Sequence, residues 1–201
     1  MGLQTKSLDF LVYEAVNHEY EAVFHVGDIT EGLGLQQGKI GDKYLKRIQK
    51  MTVSIPYLTC PGDHERFDDF IHYRNRFSMP HTPWPMPKNR LWYSIDIGGA
   101  HFVTINTEAF VTAKELMLDQ LIWLDNDLTV ANSKRMEHPW VIVFGHRPLY
   151  SSCHGGDYMC SRSMLAVRRH LDDILFKHGV DVYIGGHDHH YERTFPVYNS
   201  L

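Results

Sequence analysis

Four short patches each place a residue able to bind a metal ion directly after an apolar, β-prone run: Gly27-Asp28, Gly62-Asp63-His64-Glu65, Gly145-His146 and Gly186-His187-Asp188-His189. Carboxylates that can bridge two cations, combined with neutral imidazoles, suit ions such as Zn, Fe and Mn. Asp28 is the candidate bridge, because it follows Gly27 at a strand end where the backbone must turn sharply. Taken singly, each patch has a plainer reading. A Gly-Asp pair is an ordinary turn, His146 could hydrogen-bond locally, and the Gly186-to-His189 patch reads equally well as a polar loop. Two imidazoles two residues apart on an extended strand end would project to one side, where they could serve adjacent ions. Four such patches at four strand ends argue jointly for one metal site.

The elements that must carry these patches are legible from hydrophobic period. Leu8 to Val16 has helical spacing and leads into the short β-rich run Glu21 to Val26, stopped by Gly27. The order repeats with the amphipathic stretch Ile40 to Met51 and the run Val53 to Thr59, where Pro56 suggests an edge or a bend. A helix-compatible piece over Phe67 to Phe77 precedes a Pro-rich loop from Met79 to Asn89. Leu91 to Ile97, Gly98-Gly99 and His101 to Asn106 read as a hairpin. Leu116 to Ala131 predicts a helix and Trp140 to Phe144 a fully buried strand; Val167 to His178 and Val180 to Ile184 repeat that unit. Parallel strands set side by side would bring their ends, and the four patches, to one rim. The fold class is α/β, one domain over residues 1–201, with βα units and an inserted hairpin.

Composition narrows the partners. With 43% hydrophobic and 22% charged residues the chain is an ordinary globular one, and a net charge of -4 gives no cationic field for nucleic acid or anionic lipid. Its 14 His are a surplus that favours metal chemistry. No apolar run has the length of a membrane-spanning helix, and the N-terminus shows no basic segment followed by an apolar one. Three cysteines make neither a disulfide framework nor a zinc cluster; Cys153 and Cys160 could be bonded or reduced, and Cys60 reads as a small buried residue. The sequence leaves oligomeric state open.

Val26-Gly27-Asp28, Pro61-Gly62-Asp63-His64-Glu65, Val143-Phe144-Gly145-His146 and Gly186-His187-Asp188-His189 resemble the ordered blocks of the calcineurin-like metallophosphoesterases. Gly145-His146-Arg147-Pro148-Leu149-Tyr150, Tyr191-Glu192-Arg193 and Asn106-Thr107-Glu108 are similar to the purple acid phosphatase branch, in particular its animal-type long forms. The resemblance implies a β-sandwich flanked by helices (αββα) and hydrolysis of a small-molecule phosphate monoester. It also implies a dinuclear centre of Fe with Zn, Mn or Fe. Carried over, Asp28 would bridge both ions, His189 would bind the first, and Asp63, His146 and His187 the second. His64 would contact phosphate or protonate the leaving alkoxide, and His154 would be a further phosphate contact or simply a surface histidine.

The pattern departs from the family in three places. Asp63 stands where the family has Asn, and Glu31 where it has the Tyr that gives the purple colour, so Glu31 becomes an oxygen ligand without the chromophore. The family's first Asp-x-Gly block, whose Asp binds the first ion, would fall with its Asp immediately before Met1. The chain therefore reads as N-terminally truncated, with a defective first site and impaired activity, or as a non-catalytic remnant holding one ion. The resemblance also implies a secreted or lysosomal setting.

Overall fold

In a computed structural model, which describes residues 6–152 and 158–199, six strands form two sheets flanked by helices. Strand β1 (Val23–Val26) pairs parallel with β2 (Tyr57–Cys60), joined through α2 (Lys39–Thr52). The second sheet runs β3-β4-β5-β6, in which β3 (Tyr93–Ile97) and β4 (Ala100–Ile105) form the expected hairpin, while β5 (Trp140–Gly145) and β6 (Val182–Ile184) add in parallel. Helix α1 (Lys6–Val16) precedes β1, α3 (Phe67–Arg76) follows β2, α4 (Met117–Ser133) links β4 to β5, and α5 (Tyr158–Lys177) links β5 to β6.

Packing follows from which residues each element buries. Helix α2 buries Gly41, Tyr44, Ile48 and Met51, one stripe at helical spacing, against the first sheet's side of the molecule. Helices α4 and α5 bury Leu124, Leu128, Val167 and Leu171 with Val103, Ile105, Val141 and Val143 of β4 and β5. Phe24 of β1 stacks on Phe144 of β5 with ring centroids 4.6 Å apart, which ties the two sheets together. Four strand ends thereby meet: Val26, Cys60, Gly145 and Ile184 end the strands that lead into the four candidate patches.

Several boundaries differ from the sequence reading, each for a local reason. Strand β2 starts only after Pro56, and β6 is only three residues long because Asp181 is engaged otherwise. Its N–H donates to Val141 O (3.0 Å) and its carboxylate accepts from Val141 N (2.8 Å) and Arg135 (2.6 Å). Trp140 is 58% exposed, so β5 is not buried throughout; it enters the core at Val141. Helix α5 begins nine residues before the stretch that the sequence reading placed in it. Asp68, Asp69 and Phe70 take left-handed φ values (49°, 55° and 60°), so the first turn of α3 is not regular helix. Cys60 is buried and its thiol is pushed up by burial; Cys153 and the side chain of Cys160 lie outside the described residues.

A pH-sensitive clasp holds the hairpin to α4. His101 of β4 is buried, with Nδ1 2.6 Å from Asp96 Oδ1 of β3 and Nε2 3.0 Å from Asp127 Oδ2 of α4. Ionised carboxylates only accept, so both bonds form only when the imidazole is charged. Burial opposes that charge, but Asp127 and Asp96 outweigh it and raise the His101 pKa above its ordinary value. The stabilisation is therefore complete below the ordinary His pKa of about 6.5 and is lost as pH rises through the raised one. A charge-assisted bond is worth about 1.5–3 kcal/mol, so His101→Gln should cost about that near pH 5.5 and progressively less as pH rises through the raised pKa. Urea unfolding of both proteins across this range checks it; a pH-independent difference would contradict the clasp.

Candidate metal centre

The backbone at the rim is shaped so that ligands from different strands can touch. After β1, Gly27 (φ 72°) and Asp28 (φ 49°) are both left-handed, and the chain turns at once. A Cβ at Gly27 would lie 2.6 Å from His146 Nδ1, and one at Gly62 would lie 2.4 Å from Asp28 Oδ1, so only glycine allows these approaches. Gly186 leaves the β6 ladder to donate its N–H to His146 O (2.7 Å), which brings His187 beside His146.

Asp28, Asp63, His146 and His187 converge, and one donor atom from each lies within 4.8 Å of the others. His146 is the hub. It is 1% exposed, and its Nε2 is 3.0 Å from Asp63 Oδ1, 3.2 Å from His187 Nδ1 and 3.3 Å from Asp28 Oδ2. Its Nδ1–H donates to Val26 O (2.9 Å), which directs the Nε2 side into the cluster, where a neutral ring offers a lone pair. Two carboxylates and two imidazoles facing one point are a donor set that fits a divalent cation.

Without an ion, protons take the cation's place. Burial opposes charge on His146, but bonds to Asp28 and Asp63 outweigh it and push its pKa up to about 10. Burial raises and His146 lowers the pKa of each carboxyl, and both Asp28 and Asp63 end below the usual range. His187 Nδ1–H faces Asp63 Oδ1 at 3.0 Å while its Nε2 accepts from Arg147 Nη1 at 3.1 Å. An ion entering between these ligands replaces the protons they share.

His64 sits at the edge of the cluster. Its backbone N–H donates to Asp28 Oδ1 (3.1 Å), its Nδ1–H donates to the Glu31 carbonyl (2.9 Å), and Nε2 stands 3.9 Å from Asp28 Oδ2. Burial disfavours its charged form, but the Glu31 carbonyl and the charges of Asp28, Asp63 and Glu65 outweigh this and raise its pKa.

The structure does not bring every candidate together. Glu31 is exposed and reaches His64 through its backbone carbonyl; its side chain is not in the group. His189 is exposed and also outside it. The expected pair of imidazoles on one side of an extended strand is corrected: β6 ends at Ile184, and residues 187–190 form a bend with His187 at φ 67°. His154 lies outside the described residues.

Three residues around the centre were given no role from sequence. Glu65 is buried and accepts backbone N–H groups of Asp28 (2.8 Å), Gly62 (2.9 Å) and Ile29 (3.0 Å), although burial pushes its pKa up to about 7. Arg147, 6% exposed, lies with Nη2 3.7 Å from Asp63 Oδ1 and pairs through Nε and Nη2 with fully buried Glu108. Glu108 also accepts from the Thr112 hydroxyl (2.9 Å). A Glu two residues after Asp63 and an Arg directly after His146 were the available signals; their burial and pairing were not.

Parallel strands that deliver two carboxylates and two imidazoles to one rim define a metallophosphoesterase-type fold and site. The chain belongs to the calcineurin-like phosphoesterase family, whose profile matches residues 4–191. Acid phosphatase type 7 of Homo sapiens is 39% identical over 191 residues, covering 90% of this chain and 42% of that protein. The Mus musculus protein of the same name is 37% identical, covering 96% and 45%. A purple acid phosphatase structure from yellow lupin (Lupinus luteus) seeds superposes with a TM-score of 0.77 at 25% identity, covering 97% of this chain and 35% of that one. The chain thus spans less than half the length of each of these relatives.

Proposed function

We propose that this chain hydrolyses phosphate monoesters of small molecules as an acid phosphatase, with Asp28, Asp63, His146 and His187 holding a metal ion. The convergence of these four donors within 4.8 Å at the rim carries the reading. Bound there, an ion supplies Lewis acidity toward a phosphoryl oxygen and lowers the pKa of water. His64 keeps Nε2 facing the cluster by committing Nδ1–H to the Glu31 carbonyl, so that in the charged ring the second N–H is aimed at the site. It can therefore give a proton to the departing alkoxide. Arg147, paired with Glu108, braces Asp63 from outside the cluster.

In the dinuclear form of this reading, Asp28, His189 and Glu31 would hold a second ion, the pair being Fe with Zn, Mn or Fe. Acid activity fits a secreted or lysosomal setting. The exposure of His189 outside the four-residue group supports a second reading, a one-ion remnant without catalysis. Turnover of an aryl phosphate at mildly acidic pH, measured together with metal content per chain, separates them. Metal-dependent hydrolysis abolished by a chelator is expected; one bound ion with no turnover would select the remnant.

A further inference from the structure

The turns after β1 and β2 are held to each other by the carboxylate of Glu65. Glu65 is 3% exposed; its Oε2 accepts from Asp28 N (2.8 Å) and Gly62 N (2.9 Å), and its Oε1 from Ile29 N (3.0 Å). The left-handed φ values of Gly27 and Asp28 precede these two consecutive N–H donors, a cradle of the kind that binds anions, and Glu65 fills it. The return contact closes the clasp: Asp28 Oδ1 accepts from His64 N at 3.1 Å. Gly62 packs so closely on this turn that a Cβ there would lie 2.5 Å from Asp28 N.

We propose that Glu65 is a positioning residue: by holding the backbone of Asp28 to that of Gly62 it fixes the separation of the ligands Asp28 and Asp63, sets ion affinity, and places His64. The proposal rests on the metal-centre reading. Among the described residues the Asp28 N–H donates to this carboxylate alone, and the donors come from both strand-end turns, so no other side chain in the clasp can do the same work. A Gln at this position keeps the volume but has one accepting oxygen. With that oxygen toward Asp28 and Gly62, its amide N–H would oppose Ile29 N–H.

The test is the Zn²⁺ dissociation constant of the folded chain, from competition with a chromophoric chelator, for the wild type, Glu65→Gln and a control. Outer-shell partners of metal ligands typically contribute 10–100-fold in affinity, so Glu65→Gln should bind Zn²⁺ about 10–100-fold more weakly. Leu124→Ala, in the core of α4 away from the rim, is the control for lost stability and should keep the wild-type constant. Glu65→Asp, which keeps the charge but loses reach, should also weaken binding and is read by the same criterion if Glu65→Gln does not fold. Unchanged affinity in the folded Glu65 variants, with wild-type binding intact, would overturn the positioning role; a wild-type chain that binds no Zn²⁺ would instead overturn the metal-centre reading.

Discussion

His146→Ala should remove ion binding and, with it, turnover of an aryl phosphate. His146 is the one side chain whose Nε2 approaches Asp28, Asp63 and His187 alike, at 3.0–3.3 Å. It is also fixed from behind by its Nδ1–H bond to Val26 O. Loss of an outer partner alone costs about 10–100-fold in affinity, so loss of the central ligand should cost at least about 100-fold. The ion-free protein is affected as well, because Asp28 and Asp63 then face each other without the imidazole that lowers both their pKa values. Chelator competition and a phosphatase assay on the same preparation check the prediction. Ion affinity within about threefold of the wild type would mean that the four-residue group is not the binding site.

The second large effect concerns stability. Arg147→Met should destabilise the chain by about 3–5 kcal/mol, because it strands a buried charge. Glu108 is fully buried, and Arg147 supplies two of its donors; Thr112 supplies only a neutral hydroxyl. Replacing both members, as in Arg147→Met with Glu108→Met, should recover most of the loss, since removing a buried pair together is far less costly than breaking it. Urea unfolding of the two single variants and the double one gives the coupling directly. Additive losses, with the double variant losing the sum of the two single ones, would mean that the pair contributes nothing as a pair.

The sequence revealed the ends of strands better than the paths between them. Apolar, β-branched runs stopped by Gly27, Gly62, Gly145 and Gly185-Gly186 mark where β1, β2, β5 and β6 end, because glycine there permits turns and close approaches that a Cβ forbids. Ligands placed one residue beyond such stops could therefore be named in advance. The path of the chain beyond a stop was less legible. His187 and His189 were expected to share one side of an extended strand, but the ladder ends at Ile184, and only His187 turns into the centre. Helix α5 started nine residues before the stretch read as helix, and Trp140 looked like core although it lies on the surface where β5 enters.

The supporting shell was hidden for a different reason. Glu65, Glu108 and Arg147 are charged residues, and charge in a sequence ordinarily signals exposure. Each is buried here because partners arrive from distant segments: backbone N–H groups of two turns for Glu65, and an ion pair between the segment after β4 and the end of β5 for the others. No local pattern encodes such pairing. The hairpin was legible as a hairpin from Gly98-Gly99, while its clasp through His101 to Asp127 of α4 was not.

The most direct test of the metal centre is a metal titration of the unmodified chain, with Zn²⁺ or Mn²⁺ added to chelator-stripped protein and bound ion and released protons measured together. Saturable binding of at least one ion per chain is expected, with protons released from the cluster that holds His146 between Asp28 and Asp63. Absence of saturable binding, or binding that His146→Ala leaves intact, would contradict it.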